Sequence, residues 1–241
     1  MIRTAIVTLW IIFVTAFMSV MAIFVSFITS SGDASHRVAR IWARWVLALC
    51  NIKVTVKGLS NLNSGRAFIF MPNHMSNFDI PVLQAYLPVQ FRWLAKSELF
   101  NIPVFGHAMK RAGYISINRS DRKSAIESLN KVTRIIKNGM SVIIFPEGTR
   151  SRTHDIQLFK KGGFVLAVDS GVPIVPVIIH GTWTIMQKKQ ISIKPGNVLL
   201  EILKPIESSD YTRETKNDLM KKVRHVILES FEKDKKNGTP C

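Results

Sequence analysis

Between Thr4 and Gly32 the chain carries no charged residue over 29 positions, and the heart of the run reads AIVTLWIIFVTAFMSVMAIFVSFI. Wound as a helix at about 1.5 Å per residue, it exceeds the roughly 30 Å hydrocarbon thickness of a bilayer. A cleavable signal would have an apolar region of only about 7–15 residues and then a small-residue cleavage site. A buried soluble helix would show a polar stripe, whereas only Thr and Ser soften this one. The segment is therefore expected to be membrane-embedded, either spanning or folded as a hairpin with the next segment.

That next segment, SHRVARIWARWVLALCNI at 35–52, repeats Arg37, Arg40 and Arg44 at helical spacing and surrounds them with Ile41, Trp42, Trp45, Val46 and Leu49. Arginines with tryptophans suit a helix in the headgroup region; a helix packed on a core with a basic solvated stripe fits the same pattern. For a spanning first helix, these arginines outweigh Arg3 and place the rest of the chain in the cytoplasm. The whole chain has 33 Lys and Arg against 16 Asp and Glu, a net charge of +17. That surplus asks for a polyanionic partner: nucleic acid, an anionic lipid surface or a phosphorylated substrate. Cys50 and Cys241 sit in no metal-ligand spacing and make no disulfide framework, as in a reduced intracellular protein.

From Asn51 onward, short runs rich in branched and aromatic residues recur: IKVTVKG, AFIFMP, YISI, SVIIF, PIVPVII and NVLLEIL. A helix is expected over about 121–138, with Ala125, Ile126, Leu129, Val132, Ile135 and Ile136 on one face, Ser120 as N-cap and Gly139 beyond its end. A second is expected over about 213–232, before a charged tail. Alternating strands and helices predict an α/β fold, with a largely parallel or mixed sheet flanked by helices. Pro173 and Pro176 argue for an edge strand in the VPIVPV run.

Chemistry gathers where strands end. After AFIF comes MPNHMSNFDIP, so His74 and Asp79 leave the C-terminal end of a buried strand, where open α/β sheets hold ligands. Residues five apart do not share a helical face, so the two meet only if His74 sits on the turn and Asp79 opens the helix, which Pro81 permits. A carboxylate on one imidazole nitrogen fixes the tautomer and leaves the other nitrogen as a base. Alone, the pair reads more readily as a loop histidine and a helix cap. SVIIF runs into PEGTRSR, placing Glu147, Gly148, Thr149, Arg150 and Arg152 at another strand end. There Arg150 can grip phosphate or carboxylate bidentately. Arg119 closes GYISINR as a third candidate cation.

In this order NHMSNFD, GYISINR, FPEGTR and VPIVPV resemble the four sequence blocks of the glycerolipid acyltransferase family, most closely its bacterial 1-acylglycerol-3-phosphate branch. The blocks span 73–177, and Tyr114 stands where that family commonly has phenylalanine. The resemblance implies membrane-anchoring helices over residues 1–50 and an α/β acyltransferase domain over 51–241. It implies His74 as general base oriented by Asp79, with Arg119, Glu147, Gly148, Thr149 and Arg150 binding the glycerol-phosphate part of the acceptor. The implied reaction, part of phospholipid biosynthesis, moves a fatty acyl group from acyl-CoA or acyl-ACP to the sn-2 hydroxyl of lysophosphatidic acid. Glycerol 3-phosphate or another lysophospholipid is the alternative acceptor.

Direct transfer from a thioester needs no metal, cofactor or covalent acyl-enzyme, and the chain has no GxSxG, HExxH or GxxxxGK[ST] motif. Lys96, Lys160 and Lys161 are read first as solvated surface and second as holders of phosphate or the donor carrier. The implied setting is the bacterial inner membrane, on anionic lipid, with the catalytic domain facing the cytoplasm. A membrane-tethered nucleic-acid-binding protein would interleave aromatics with Lys and Arg. Here Phe and Trp lie mainly in apolar runs, so no nucleic-acid partner is expected.

Overall fold

A computed structural model describes residues 2–29, 31–62, 65–118 and 121–236. The apolar run forms α1 (Ile2–Ser26) and the tryptophan-arginine segment forms α2 (Asp33–Leu49), an antiparallel pair. The turn between them needs Gly32, which has φ 74°; a Cβ there would meet the Ala112 carbonyl carbon at 3.0 Å.

Seven strands come next: β1 (Ile52–Lys57), β2 (Ile69–Pro72), β3 (Phe91–Lys96), β4 (Ile115–Ile117), β5 (Ser141–Ile143), β6 (Ile174–His180) and β7 (Gly196–Ile202). They make one sheet in the order β1-β7-β6-β2-β5-β3-β4. Every neighbouring pair is parallel except β6–β7. Helices α3 (Asp79–Tyr86), α4 (Phe105–Arg111), α5 (Arg122–Lys137), α6 (Gly162–Ser170), α7 (Thr182–Ile185) and α8 (Lys216–Lys236) accompany them among the described residues.

The strands alternate side chains between two cores. Phe68, Phe70, Trp93, Val175 and Leu200 pack with α2 and α3 on one face. Ile69, Met71, Val142, Ile174 and Ile178 pack with α5, α6 and α8 on the other. Because Ala43, Val46 and Leu47 of α2 belong to the first core, the hairpin and the α/β body share one apolar interior.

Three sequence expectations change. The run FRWLAK does not read as a strand from sequence, because Arg92 and Lys96 interrupt it. Yet β3 is interior, and the buried Arg92 sends its guanidinium out to Asp33 at 2.6 Å and the Ser31 carbonyl at 3.0 Å. The edge position expected for VPIVPV is wrong, since β6 lies between β2 and β7. Residues 173 and 177 accept bonds from the β2 side, whereas Pro176 turns toward β7, whose ladder with β6 begins only at Val177. There its carbonyl accepts from the Leu203 N–H at 3.0 Å, and the missing proline N–H forfeits only the return bond of that one pair, at the end of the ladder. Finally, Arg40 leaves the expected basic face: its Nη2 donates to the carbonyls of Leu87 and Val89 at 2.7 and 2.9 Å, while Arg37 and Arg44 stay exposed. Helix α5 is capped by Asp121, which accepts from the Lys123 N–H at 3.0 Å; the expected cap Ser120 and the terminal Cys241 lie outside the described residues.

Candidate active site

Parallel pairing of β2 with both β5 and β6 makes all three strands end at the same edge of the sheet. The loop bearing His74, the loop bearing Glu147–Arg150 and helix α7 therefore meet, although they come from distant parts of the sequence.

His74 sits on the turn and Asp79 is the first residue of α3. His74 Nδ1 lies 2.8 Å from Asp79 Oδ2. The same oxygen accepts from the Met75 and Ser76 N–H groups at 2.7 and 2.8 Å, and Oδ1 accepts from the Thr182 hydroxyl at 2.6 Å. The Asp79 side chain is fully buried, so these neutral donors stand in for water around its charge. A carboxylate accepts only, so it holds the proton on Nδ1 and leaves Nε2 with a lone pair. The imidazole lies flat on Phe145, ring centroids 3.7 Å apart, and borders a cavity.

Glu147 is turned inward. Its Oε1 accepts from the His74 N–H at 2.6 Å and its Oε2 from the Gln157 N–H at 2.9 Å. It is 1% exposed and does not line the cavity. The substrate contact expected of it gives way to an internal one: it ties the His74 loop to the segment after Arg150. Burial pushes its carboxyl up to about 7, against the pull of those two N–H bonds. Gly148 has φ 74°, a left-handed turn that a side chain would strain, and it lines the cavity with Thr149 and Arg150. Arg119 lies outside the described residues. Of the three lysines, Lys96 lines the cavity but pairs with Glu98 at 2.5 Å, while Lys160 and Lys161 are exposed.

The cavity holds about 520 Å³. Its polar end is His74, Asn77 and Arg150; from there it runs past Trp93 and Tyr114 to Met18 and Ala22 of α1 and Ala108 of α4. It thus brings a base and Arg150 into one cavity with an apolar wall supplied in part by the first helix. Among the described residues, His, Cys, Asp and Glu nowhere gather in threes as a metal site requires.

Sequence reasoning missed Asn73, whose side-chain amide exchanges two hydrogen bonds with the backbone of Ile179 and so locks β2 to β6. It also missed Thr182 and Lys188. The motif GTW after a buried strand was the available signal for Thr182; Lys188 had none.

The family model described as Acyltransferase matches residues 53–180. The chloroplastic 1-acyl-sn-glycerol-3-phosphate acyltransferase LPAT1 of Arabidopsis thaliana is 36% identical over 176 residues, covering 72% of this chain and 49% of that protein. A Saccharomyces cerevisiae protein described as 1-acyl-sn-glycerol-3-phosphate acyltransferase is 33% identical, covering 78% of this chain and 66% of its own. The chain spans only about half the length of two chloroplastic relatives it matches, 49% and 56% for the Arabidopsis and Brassica napus proteins. Among solved structures, the 1-acyl-sn-glycerophosphate (LPA) acyltransferase PlsC of Thermotoga maritima superposes with a TM-score of 0.83 at 28% identity over 97% of both chains.

Proposed function

From the premise that this chain belongs to the acyltransferase family, we propose that it transfers a fatty acyl group from a thioester, acyl-CoA or acyl-ACP, to the sn-2 hydroxyl of 1-acylglycerol 3-phosphate, giving phosphatidic acid. The observation that carries this reading is the His74–Asp79 pair at the polar end of an apolar cavity, with Arg150 at the same end.

In this reaction Nε2 of His74 takes the acceptor's hydroxyl proton as its oxygen attacks the thioester carbonyl. The tetrahedral intermediate collapses with a C–O bond formed and the C–S bond broken, and the departing thiolate recovers the proton from the imidazolium. Asp79 holds Nδ1–H throughout and faces the positive charge that appears on the ring. The channel beyond takes the donor's acyl chain, each buried CH₂ contributing about 0.8 kcal/mol. Arg150 holds the acceptor's phosphate.

The hairpin sets the membrane geometry. At its base Arg3 Nη2 donates to the Cys50 carbonyl at 3.4 Å, and at its tip Arg92 binds Asp33 and Ser31 while the Arg111 guanidinium lies 4.8 Å from the Phe27 ring centre. The start of α1 is thus held to the end of α2, where the chain enters β1, and the tip of the hairpin is held on the α/β body. A helix fastened along its length cannot cross a bilayer that its body does not cross. We therefore place α1 flat at the interface, with Leu9, Phe13, Phe17 and Phe24, all exposed, in the hydrocarbon and Arg37 and Arg44 at anionic phosphates. The bacterial inner membrane, cytoplasmic face, belongs to the same proposal.

The test is incubation of the purified chain with lysophosphatidic acid and each labelled donor. Labelled phosphatidic acid is expected, and His74→Ala should cut the rate by roughly 10²- to 10⁴-fold with membrane attachment unchanged. No lipid product, or near-normal turnover in the variant, would overturn the assignment.

A further inference from the structure

Lys188 lies two residues beyond Met186, whose carbonyl accepts from the Ser76 hydroxyl at 2.7 Å. Four residues before Met186, Thr182 binds Asp79. The segment carrying Lys188 is thus fastened to the His74 loop before the lysine is reached. The lysine then crosses to the other catalytic loop: its Nζ donates to the Arg150 carbonyl at 2.6 Å and to the Thr149 hydroxyl at 3.1 Å. An ammonium has three donors, so one remains, beside two residues, Thr149 and Arg150, that line the cavity.

No salt bridge neutralises the surroundings: among the described residues, none of Arg150, Arg152, Lys188 and Lys189 forms an ion pair. Burial, and then the charges of Arg152, Arg150 and Lys189, hold the Lys188 ammonium below the usual lysine range, with the Glu147 carboxylate opposing. Lys189 itself takes a left-handed backbone, φ 72°, a conformation that crowds the Cβ of any L-residue against its own carbonyl. Crowded cations on a strained turn are stabilised when an anion arrives between them. A phosphate monoester carries up to two negative charges near neutral pH, whereas a phosphodiester carries one.

Resting on the acceptor proposed above, we infer that Lys188 is a second phosphate-binding residue, which with Arg150 clasps a dianionic phosphate monoester and selects it over phosphodiester lysophospholipids. Arg150 supplies one charge from the end of its own loop. Lys188 supplies the other from the segment after β6, and its bond to the Arg150 carbonyl holds the ammonium at that loop.

The experiment compares wild type, Lys188→Met and Lys188→Arg, each in full-length chain. Acylation of lysophosphatidic acid and of lysophosphatidylglycerol is measured, along with binding of glycerol 3-phosphate by calorimetry. In Lys188→Met the lysophosphatidic acid KM should rise roughly 10- to 100-fold, with donor KM unchanged and the preference for monoester over diester reduced. Lys188→Arg should recover most of it. The inference falls if the acceptor KM does not move, if both acceptors suffer equally through kcat (a loop fastener only), or if the donor KM rises instead. Phosphatidic acid formed normally by Lys188→Met would sink the inference and leave the acyltransferase reading standing. Glycerol 3-phosphate binding that needs Lys188, in a wild type making no phosphatidic acid, would do the reverse.

Discussion

At the level of single side chains, the site separates groups that meet the substrate from groups that hold them. Asp79 and Glu147 are both buried carboxylates, but the first braces a ring and the second braces a backbone. Glu147→Gln would turn an amide N–H toward one of two N–H donors and lose that bond, a cost of roughly 1–3 kcal/mol. The expected outcome is a kcat about tenfold lower, with acceptor KM little changed because Glu147 touches no substrate; a steady-state split of kcat from KM checks it. A large rise in KM would restore the substrate contact expected from sequence. His74 and Asp79 were legible because the two residues that must meet are five apart and one turn joins them. Lys188 was not, since it acts on residues 38 and 39 positions away that only the sheet order brings close.

Among the elements, the contact between α2 and the body carries a pH dependence. His36 is fully buried, with Tyr114 Oη 3.2 Å from its Nδ1 and the Phe91 ring edge-on at 4.5 Å. Burial first, then Arg92 and Arg40, push its imidazole down to about 3, with Asp33 opposing. A base depressed below its unfolded value of about 6.5 takes up protons more readily when unfolded. Its stabilising contribution is therefore complete above pH 6.5 and is lost as pH falls below it, by roughly 1.4 kcal/mol per unit, down toward pH 3. Glu147, raised to about 7, has the opposite sign: its cost appears as pH rises from about 4.5 to 7. The measurement is thus the difference in thermal unfolding between wild type and His36→Gln at pH 7 and pH 5. Wild type should lose more on acidification, and parallel behaviour would refute the assignment. Strand β3 and the interior place of β6 were hidden in sequence for a related reason: a buried arginine whose charge leaves sideways, and a proline whose missing donor falls at the last pair of a ladder, both imitate surface residues.

For the molecule as a whole, the apolar start is more than a tether. The sequence announced a membrane segment by its lack of charge, but its packing was not readable, because a flat and a spanning helix share one composition. Met18 and Ala22 border the cavity and Val14 is buried beside them. Deleting residues 1–32 should therefore not simply release a working enzyme from the membrane. The product is expected to lose acyl transfer and to aggregate, measurable by activity and light scattering of the truncated chain; a soluble truncation with full turnover would contradict the packing. The two sides of α1 also answer to different evolutionary pressures. Leu9, Phe13, Phe17 and Phe24 can drift among greasy residues of any shape, because fluid lipid conforms to them. Met18 and Ala22 border the cavity; under the proposed function a substitution there changes which fatty acids fit, and growth temperature becomes a selective force on one narrow stripe of a single helix.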